Sequence, residues 1–286
     1  MNEKDRDLNL DQGVIDSFGF EWSKFDYSDQ KSEMALDKQF AAYCLPIDLL
    51  QFSETSSIVA DFGAGSGRWT LRLLPYFHKV YALEPSDGAC QVLRRKFSQN
   101  IKVTILQESV GQNSIPDNSL DLAVSFGVLH HIPDTALAIS KVSQKIKPGS
   151  FLLCYLYYKL DDKPLLYRAL FKIAGLFRGY ITKLSPRKKR VVTWMIAALV
   201  YLPLARFSKL LKLMKLRVSN IPLHHYADMP FVMLANDALD RFGTSLEQRF
   251  DKSEISRMLN SADFDLETLY FSENEPYWCF SVKRNL

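Results

Sequence analysis

The sequence predicts an α/β fold: a parallel sheet covered by helices on both faces, extended by a late helical insertion and closed by an antiparallel pair of strands. Three observations carry this. From Ser57 onward, short apolar runs alternate with helix-length segments. A cluster of glycines stands at the first strand-to-helix turn, and after Tyr158 the alternation gives way to a basic, apolar stretch. Strands that alternate with helices at this pitch pair in parallel, because each crossover helix packs back onto the sheet. A chain of 286 residues that is 47% hydrophobic buries one sizeable core with room for an attached lobe.

In order, residues 1–56 read as an acidic leader and a helical cap, with helices around 33–44 and 46–52. The core spans 57–158. Within it, 57–62, 79–83, 101–106, 120–126 and 151–158 read as strands, the last preceded by a turn at Lys147-Pro148-Gly149. Helices are expected at 67–74, 86–97 and 135–146, the last from the spacing of Ala136, Ile139 and Val142. Residues 159–250 form the insertion. Its first part, 159–220, reads as helical and broken at Pro164, Pro186 and Pro203, and 221–250 as a polar, acid-containing stretch. Residues 251–286 complete the core with a helix at 252–261 and strands at 264–271 and 277–282 around a turn at 273–276.

Charge is unevenly distributed. Residues 159–217 hold fifteen Lys/Arg against Asp161 and Asp162, a local balance of +13 in a chain of net +4, so the remainder carries −9. An anionic partner or a membrane surface is the corresponding expectation. In the segment 204–214, Leu204, Phe207, Leu211 and Met214 make one apolar stripe with Arg206, Lys209, Lys212 and Lys215 mostly off it, suited to lying on anionic lipid or to covering a substrate pocket. The longest apolar run, 194–204, is short of the roughly 20 residues that span a bilayer. The polar start shows no leader peptide. Four scattered cysteines, Cys44, Cys90, Cys154 and Cys279, fit reduced buried thiols rather than a disulfide or metal framework. A cytoplasmic protein, soluble or peripheral to the inner membrane, is expected.

The chemistry concentrates at Asp61-Phe62-Gly63-Ala64-Gly65-Ser66-Gly67-Arg68. Glycines at every second position let the backbone turn tightly and approach a ligand. The turn falls at the carboxyl ends of the strands, where open α/β sheets bind ligands. A dinucleotide fingerprint needs its third glycine at position 68, where Arg68 stands instead. Glu84 ends the second strand, where a carboxylate accepts the hydroxyls of a ribose.

Residues 59–70 resemble the first motif of class I S-adenosylmethionine-dependent methyltransferases, and Ala82-Leu83-Glu84-Pro85-Ser86 resembles the second. Gln107-Glu108-Ser109 with 115–121, the segment 125–132, and Lys147-Pro148-Gly149 are similar to the later motifs, in order over about 100 residues. Outside them, Phe18-Gly19-Phe20-Glu21-Trp22, the segments 236–244 and 247–250, and Pro276-Tyr277-Trp278-Cys279 resemble a bacterial branch of these enzymes. The resemblance implies a Rossmann-like sheet of seven strands, mostly parallel with an antiparallel last strand, and S-adenosyl-L-methionine as cofactor. It implies that Asp61, Gly63, Ala64 and Gly65 line the methionine end, Glu84 takes the ribose, Glu108 and Ser109 hold the adenine, and Phe126 and Gly127 lie beneath the cofactor. Glu108 departs from the Asp common at its place.

The acceptor expected from the resemblance is a small molecule, a glycan precursor or a lipid-linked compound, methylated on oxygen, with no metal. His131 and His224 are the candidate bases, each with a histidine neighbour, His130 and His225. Asp237, Asp240, Arg241 and Arg249 suit a polar acceptor or mutual ion pairing. Nucleic acid is not expected: no Asn/Asp-Pro-Pro-Tyr/Phe follows the fourth strand, where Ser125-Phe126-Gly127-Val128 stands. Two other readings remain, a nicotinamide-dependent dehydrogenase and a non-catalytic relative that binds a membrane or protein through its basic lobe.

Overall fold

The computed structural model describes residues 9–22, 29–53, 56–160, 164–216, 218, 221–273 and 278–286. Two compact units divide the chain. One comprises Met1–Ser23, Asp37–Tyr158 and Leu246–Leu286, the other Lys24–Leu36 and Lys159–Ser245.

The first unit holds a seven-stranded sheet. Its strands are β1 (Ile58–Phe62), β2 (Lys79–Leu83), β3 (Val103–Leu106), β4 (Leu120–Phe126), β5 (Ile146–Tyr155), β6 (Phe264–Phe271) and β7 (Cys279–Arg284), in the order β3-β2-β1-β4-β5-β7-β6. Strands β1 to β5 run parallel and β7 is antiparallel to both neighbours, as the sequence predicts. The order reverses between β1 and β4, which opens a crevice at their carboxyl ends. Val59, Ala60, Phe62, Leu122, Ala123 and Val124 are fully buried, the near-continuous apolar run of strands covered on both faces. Helices α1 (Gln12–Trp22), α3 (Arg68–Leu73), α4 (Asp87–Lys96), α5 (Thr135–Lys145) and α9 (Lys252–Ser261) belong to this unit, and α2 (Gln30–Cys44) enters it at Asp37. Side chains start several of them. Ser86 accepts from Ala89 N–H, Asp134 from Leu137 N–H, and Asp251 with Glu254 forms a reciprocal capping box at α9.

The second unit contains α6 (Leu165–Ile181), α7 (Pro186–Leu213) and α8 (Phe231–Gly243). They meet in a core that includes Ile181, Ala197, Tyr201, Leu234, Ala238 and Phe242. Arg178 donates to Thr244 O at 3.1 and 2.9 Å and Lys189 to Gly243 O at 3.0 Å, so two of the insertion's cations cap the carbonyl end of α8.

Five features correct the sequence reading. The start of the chain forms helix α1 rather than an acidic leader from 12 to 22. Lys147-Pro148-Gly149 is not a turn before β5 but part of it, accommodated by a register irregularity against β4 between Leu120 and Leu122. Pro203 does not break α7: a wide turn at Ala197–Tyr201, in which Leu202 N–H bonds back to Ala197 O, accommodates the ring. The polar stretch 221–250 contains α8. With Pro203 inside it, α7 runs 28 residues, so by length and composition it reaches what crosses a bilayer. Residues 274–277, which hold most of the expected closing turn and the start of the last strand, lie outside the described residues. Cys90, Cys154 and Cys279 are buried, Cys44 is half-buried, and all four are free thiols.

Candidate active site

The crevice between β1 and β4 is built around the turn after β1. Gly63 and Ala64 N–H both donate to Leu83 O at 2.9 Å, which ties the turn to the end of β2. Gly63, Gly65 and Gly67 have φ of +82°, +54° and +76°. At Gly63 a Cβ would stand 2.5 Å from the Val128 side chain, and at Gly65 3.0 Å from the Trp22 indole, so both conformation and close approach require glycine there.

Glu84 clamps this turn to the next. Its buried carboxylate accepts from Gly65 N–H at 3.0 Å through Oε2 and from Ser86 N–H at 2.9 Å through Oε1. Burial raises its pKa, against the lowering effect of the bonds from Ser86 and Gly65. Asp61, at the end of β1, accepts from the Thr70 hydroxyl at 2.7 Å through Oδ2. Its Oδ1 is buried without a hydrogen-bond partner among the described residues, as is the Ser66 hydroxyl. Burial pushes the Asp61 carboxyl up to about 6, opposed by Thr70 and the Arg68 charge and reinforced by Glu84. Arg68, the departure from a dinucleotide pattern, lies over two indoles, 4.5 Å from the Trp22 ring centroid and 4.7 Å from that of Trp69.

The other predicted residues divide. Glycine Gly127 (φ +77°) and Phe126 lie at the end of β4, but the Phe126 ring packs into an aromatic cluster, stacked on Tyr43 at 4.7 Å and edge-on to Trp69. Glu108 accepts from Ser114 N–H and its hydroxyl, and Ser109 bonds Gln112, so both order their own loop after β3.

His130 and His131 are buried in the turn after β4. His130 Nδ1 accepts from Tyr157 N–H and its ring stacks on Tyr157 at 3.8 Å. His131 Nδ1 lies 2.6 Å from Leu246 O. A carbonyl only accepts, so this nitrogen carries the hydrogen, and in the neutral ring Nε2 carries the lone pair. The two histidines therefore adopt opposite tautomers, and the neutral His131 ring has its lone pair on Nε2. His224, whose Nδ1 lies 2.9 Å from Ile221 O, belongs to the second unit.

The Asp/Arg group acts largely as ties. Arg249 pairs with Glu247 at 2.7 Å and donates to Tyr158 O, while Arg241 covers the Phe171 ring. Asp237, beside the Tyr226 hydroxyl, is pushed up to about 6 by burial.

Helix α1 supplies two residues to which the sequence reading assigned no role. Phe18 meets the His131 ring edge-on at 5.0 Å, and Trp22, one turn later, lies against Gly65. Their i, i+4 spacing was the available signal.

Residues 60–154 match the family model described as a methyltransferase domain. An uncharacterised methyltransferase of Geobacillus sp. strain WCH70 is 35% identical over 99 residues, 34% of this chain and 46% of that protein. A demethylmenaquinone methyltransferase of Lactiplantibacillus plantarum is 28% identical over 135 residues, 45% of this chain and 53% of that protein. The chain thus spans about half the length of the curated relatives it matches. Among solved structures, human N-acetylserotonin methyltransferase in complex with SAM has the same fold, with a TM-score of 0.51 at 14% identity over 89% of this chain and 54% of that one. The α/β core is a class I methyltransferase domain, of the family whose cofactor is S-adenosylmethionine.

Proposed function

We propose that this chain is an S-adenosylmethionine-dependent methyltransferase acting on the oxygen of a small-molecule, glycan-precursor or lipid-linked acceptor. The observation that carries this is the buried Glu84 carboxylate bonded to Gly65 N–H, with the buried Asp61 Oδ1 and Ser66 hydroxyl beside the same glycine turn. In this reading Asp61, Gly63, Ala64 and Gly65 hold the methionine end, with Asp61 taking its ammonium. Glu84 takes the ribose hydroxyls, Glu108 and Ser109 the adenine, and Phe126 and Gly127 support it from below. The cofactor supplies a methyl group on a positively charged sulfur. The chain contributes alignment of the acceptor with that group, which is worth roughly 7–11 kcal/mol in well-oriented systems.

An oxygen acceptor needs a base, and the His131 Nε2 lone pair serves to take the hydroxyl proton. His131→Asn keeps a donor for Leu246 O and removes Nε2. It is expected to lower kcat by roughly 10²–10⁴-fold while leaving affinity for S-adenosylhomocysteine unchanged. An unchanged kcat in this variant, with a loss in His224→Asn, transfers the role to His224.

Calorimetric titration with S-adenosylhomocysteine and with a nicotinamide dinucleotide tests the whole reading. Binding of the first alone supports it. Binding of the second alone favours a dehydrogenase, and binding of neither a non-catalytic relative. The likeness to a protein named for demethylmenaquinone favours a small or lipid-like acceptor over nucleic acid. A labelled methyl donor incubated with cell extract identifies the acceptor.

A further inference from the structure

We propose that the outward faces of α6 and α7 form a docking surface for an anionic lipid bilayer. This inference is independent of the chemistry assigned to the first unit. Helix α7 leaves much of its apolar surface uncovered. Its buried stripe is Thr193, Ala197, Tyr201, Ala205 and Ser208, mostly small or polar residues at helical spacing. Val192, Ile196, Leu202 and Leu204 are partly buried against the core, but other large apolar residues point outward: Leu199 is 71% exposed, Leu213 73%, and Trp194 52%. Helix α6 repeats the pattern, with Ile173, Leu176, Phe177 and Tyr180 exposed at i, i+3, i+4 and i+7. A helix in water turns such residues inward, and exposed apolar area on this scale marks a contact with another apolar phase.

Charge selects the occupant. Lys183, Arg187, Lys188 and Arg190 are exposed in the stretch of chain that joins these two apolar faces, within a segment whose balance is +13. A second copy of this chain would bring the same positive charge to the junction and be repelled. Anionic headgroups meet both demands, with the basic side chains at the phosphates and the apolar ones below them. Trp194 and Tyr180 suit the boundary, since such rings have an apolar body and a polar edge. The buried stripe of α7, engaged in the core of its own unit, favours lying on the bilayer over crossing it.

Pelleting of the full chain with vesicles tests this, using phosphatidylcholine alone and phosphatidylcholine mixed with phosphatidylglycerol. The wild-type chain is expected to pellet with the mixed vesicles, release at high salt, and shift its tryptophan emission to the blue, a shift that Trp194→Phe diminishes. The triple variant R187E/K188E/R190E is expected to lower partitioning roughly 100-fold or more. The double variant L199S/L213S lowers it without altering charge, and circular dichroism identifies the variants that keep their fold. Four results would each overturn the proposal: a wild-type chain left in the supernatant, whether monomeric or self-associated by light scattering; equal binding to neutral vesicles; undiminished partitioning of both folded variants; or a chain that alkaline carbonate cannot extract.

Discussion

Glu84→Ala lowers affinity for S-adenosylhomocysteine at least about 100-fold, the loss expected when the buried acceptor of two ligand hydroxyls is removed and both are left unpaired. The side chain has two tasks in this fold. It holds Gly65 and Ser86 N–H, and so fixes the turns after β1 and β2 against each other. In the proposed complex its remaining lone pairs receive the ribose hydroxyls. Gly65→Leu tests the same grip from the other side, since the new side chain meets the Trp22 indole from a backbone at φ +54°. Calorimetry on both variants, with circular dichroism to establish folding, measures the effect. Wild-type affinity in both folded variants removes the cofactor assignment, and with it the roles given to the acceptor side.

The core was legible because its strands advertise themselves. Runs such as Ile58-Val59-Ala60 and Leu122-Ala123-Val124 are apolar on both faces, and the glycine turn follows the first of them. Helix α8 was not legible, since Asn236, Asp237, Asp240 and Arg241 obscure an apolar set that includes Leu234, Ala238 and Phe242. What makes that helix buriable lies outside it: Arg178 and Lys189 supply donors to its last carbonyls, and the Tyr226 hydroxyl meets Asp237. The same limit applies at the site. Glu84 could be placed from its position after a strand. The tautomer of His131 depends on Leu246 O, 115 residues away, and the place of Trp22 on a helix that the polar start of the chain concealed.

Affinity for the cofactor and stability of the empty protein are expected to move in opposite directions between pH 4 and 6. The unperturbed value for Asp61 is 3.8 and burial pushes it up to about 6. A carboxyl raised on folding contributes stability that is complete below the lower value and lost as pH rises through the higher one, because the unfolded chain releases the proton first. With the ionised form disfavoured by about 3 kcal/mol, Asp61→Asn is expected to stabilise the ligand-free protein at pH 7.5 and to change little near pH 4. Binding has the reverse sign. The proposed partner of Asp61 is the ammonium of the methionine end, which needs the carboxylate, so affinity climbs through pH 6 and is flat above it. Below pH 6 affinity falls by up to about tenfold per pH unit, and in Asp61→Asn the dependence disappears along with most of the affinity. Thermal unfolding of both proteins at pH 5.0 and 7.5, with and without S-adenosylhomocysteine, separates the two effects. A wild-type ligand-induced rise in Tm that is the same at both pH values would show that Asp61 does not face the ligand's charge. A buried acceptor that weakens the empty fold and strengthens the loaded one is the signature expected of a site kept for binding rather than for folding.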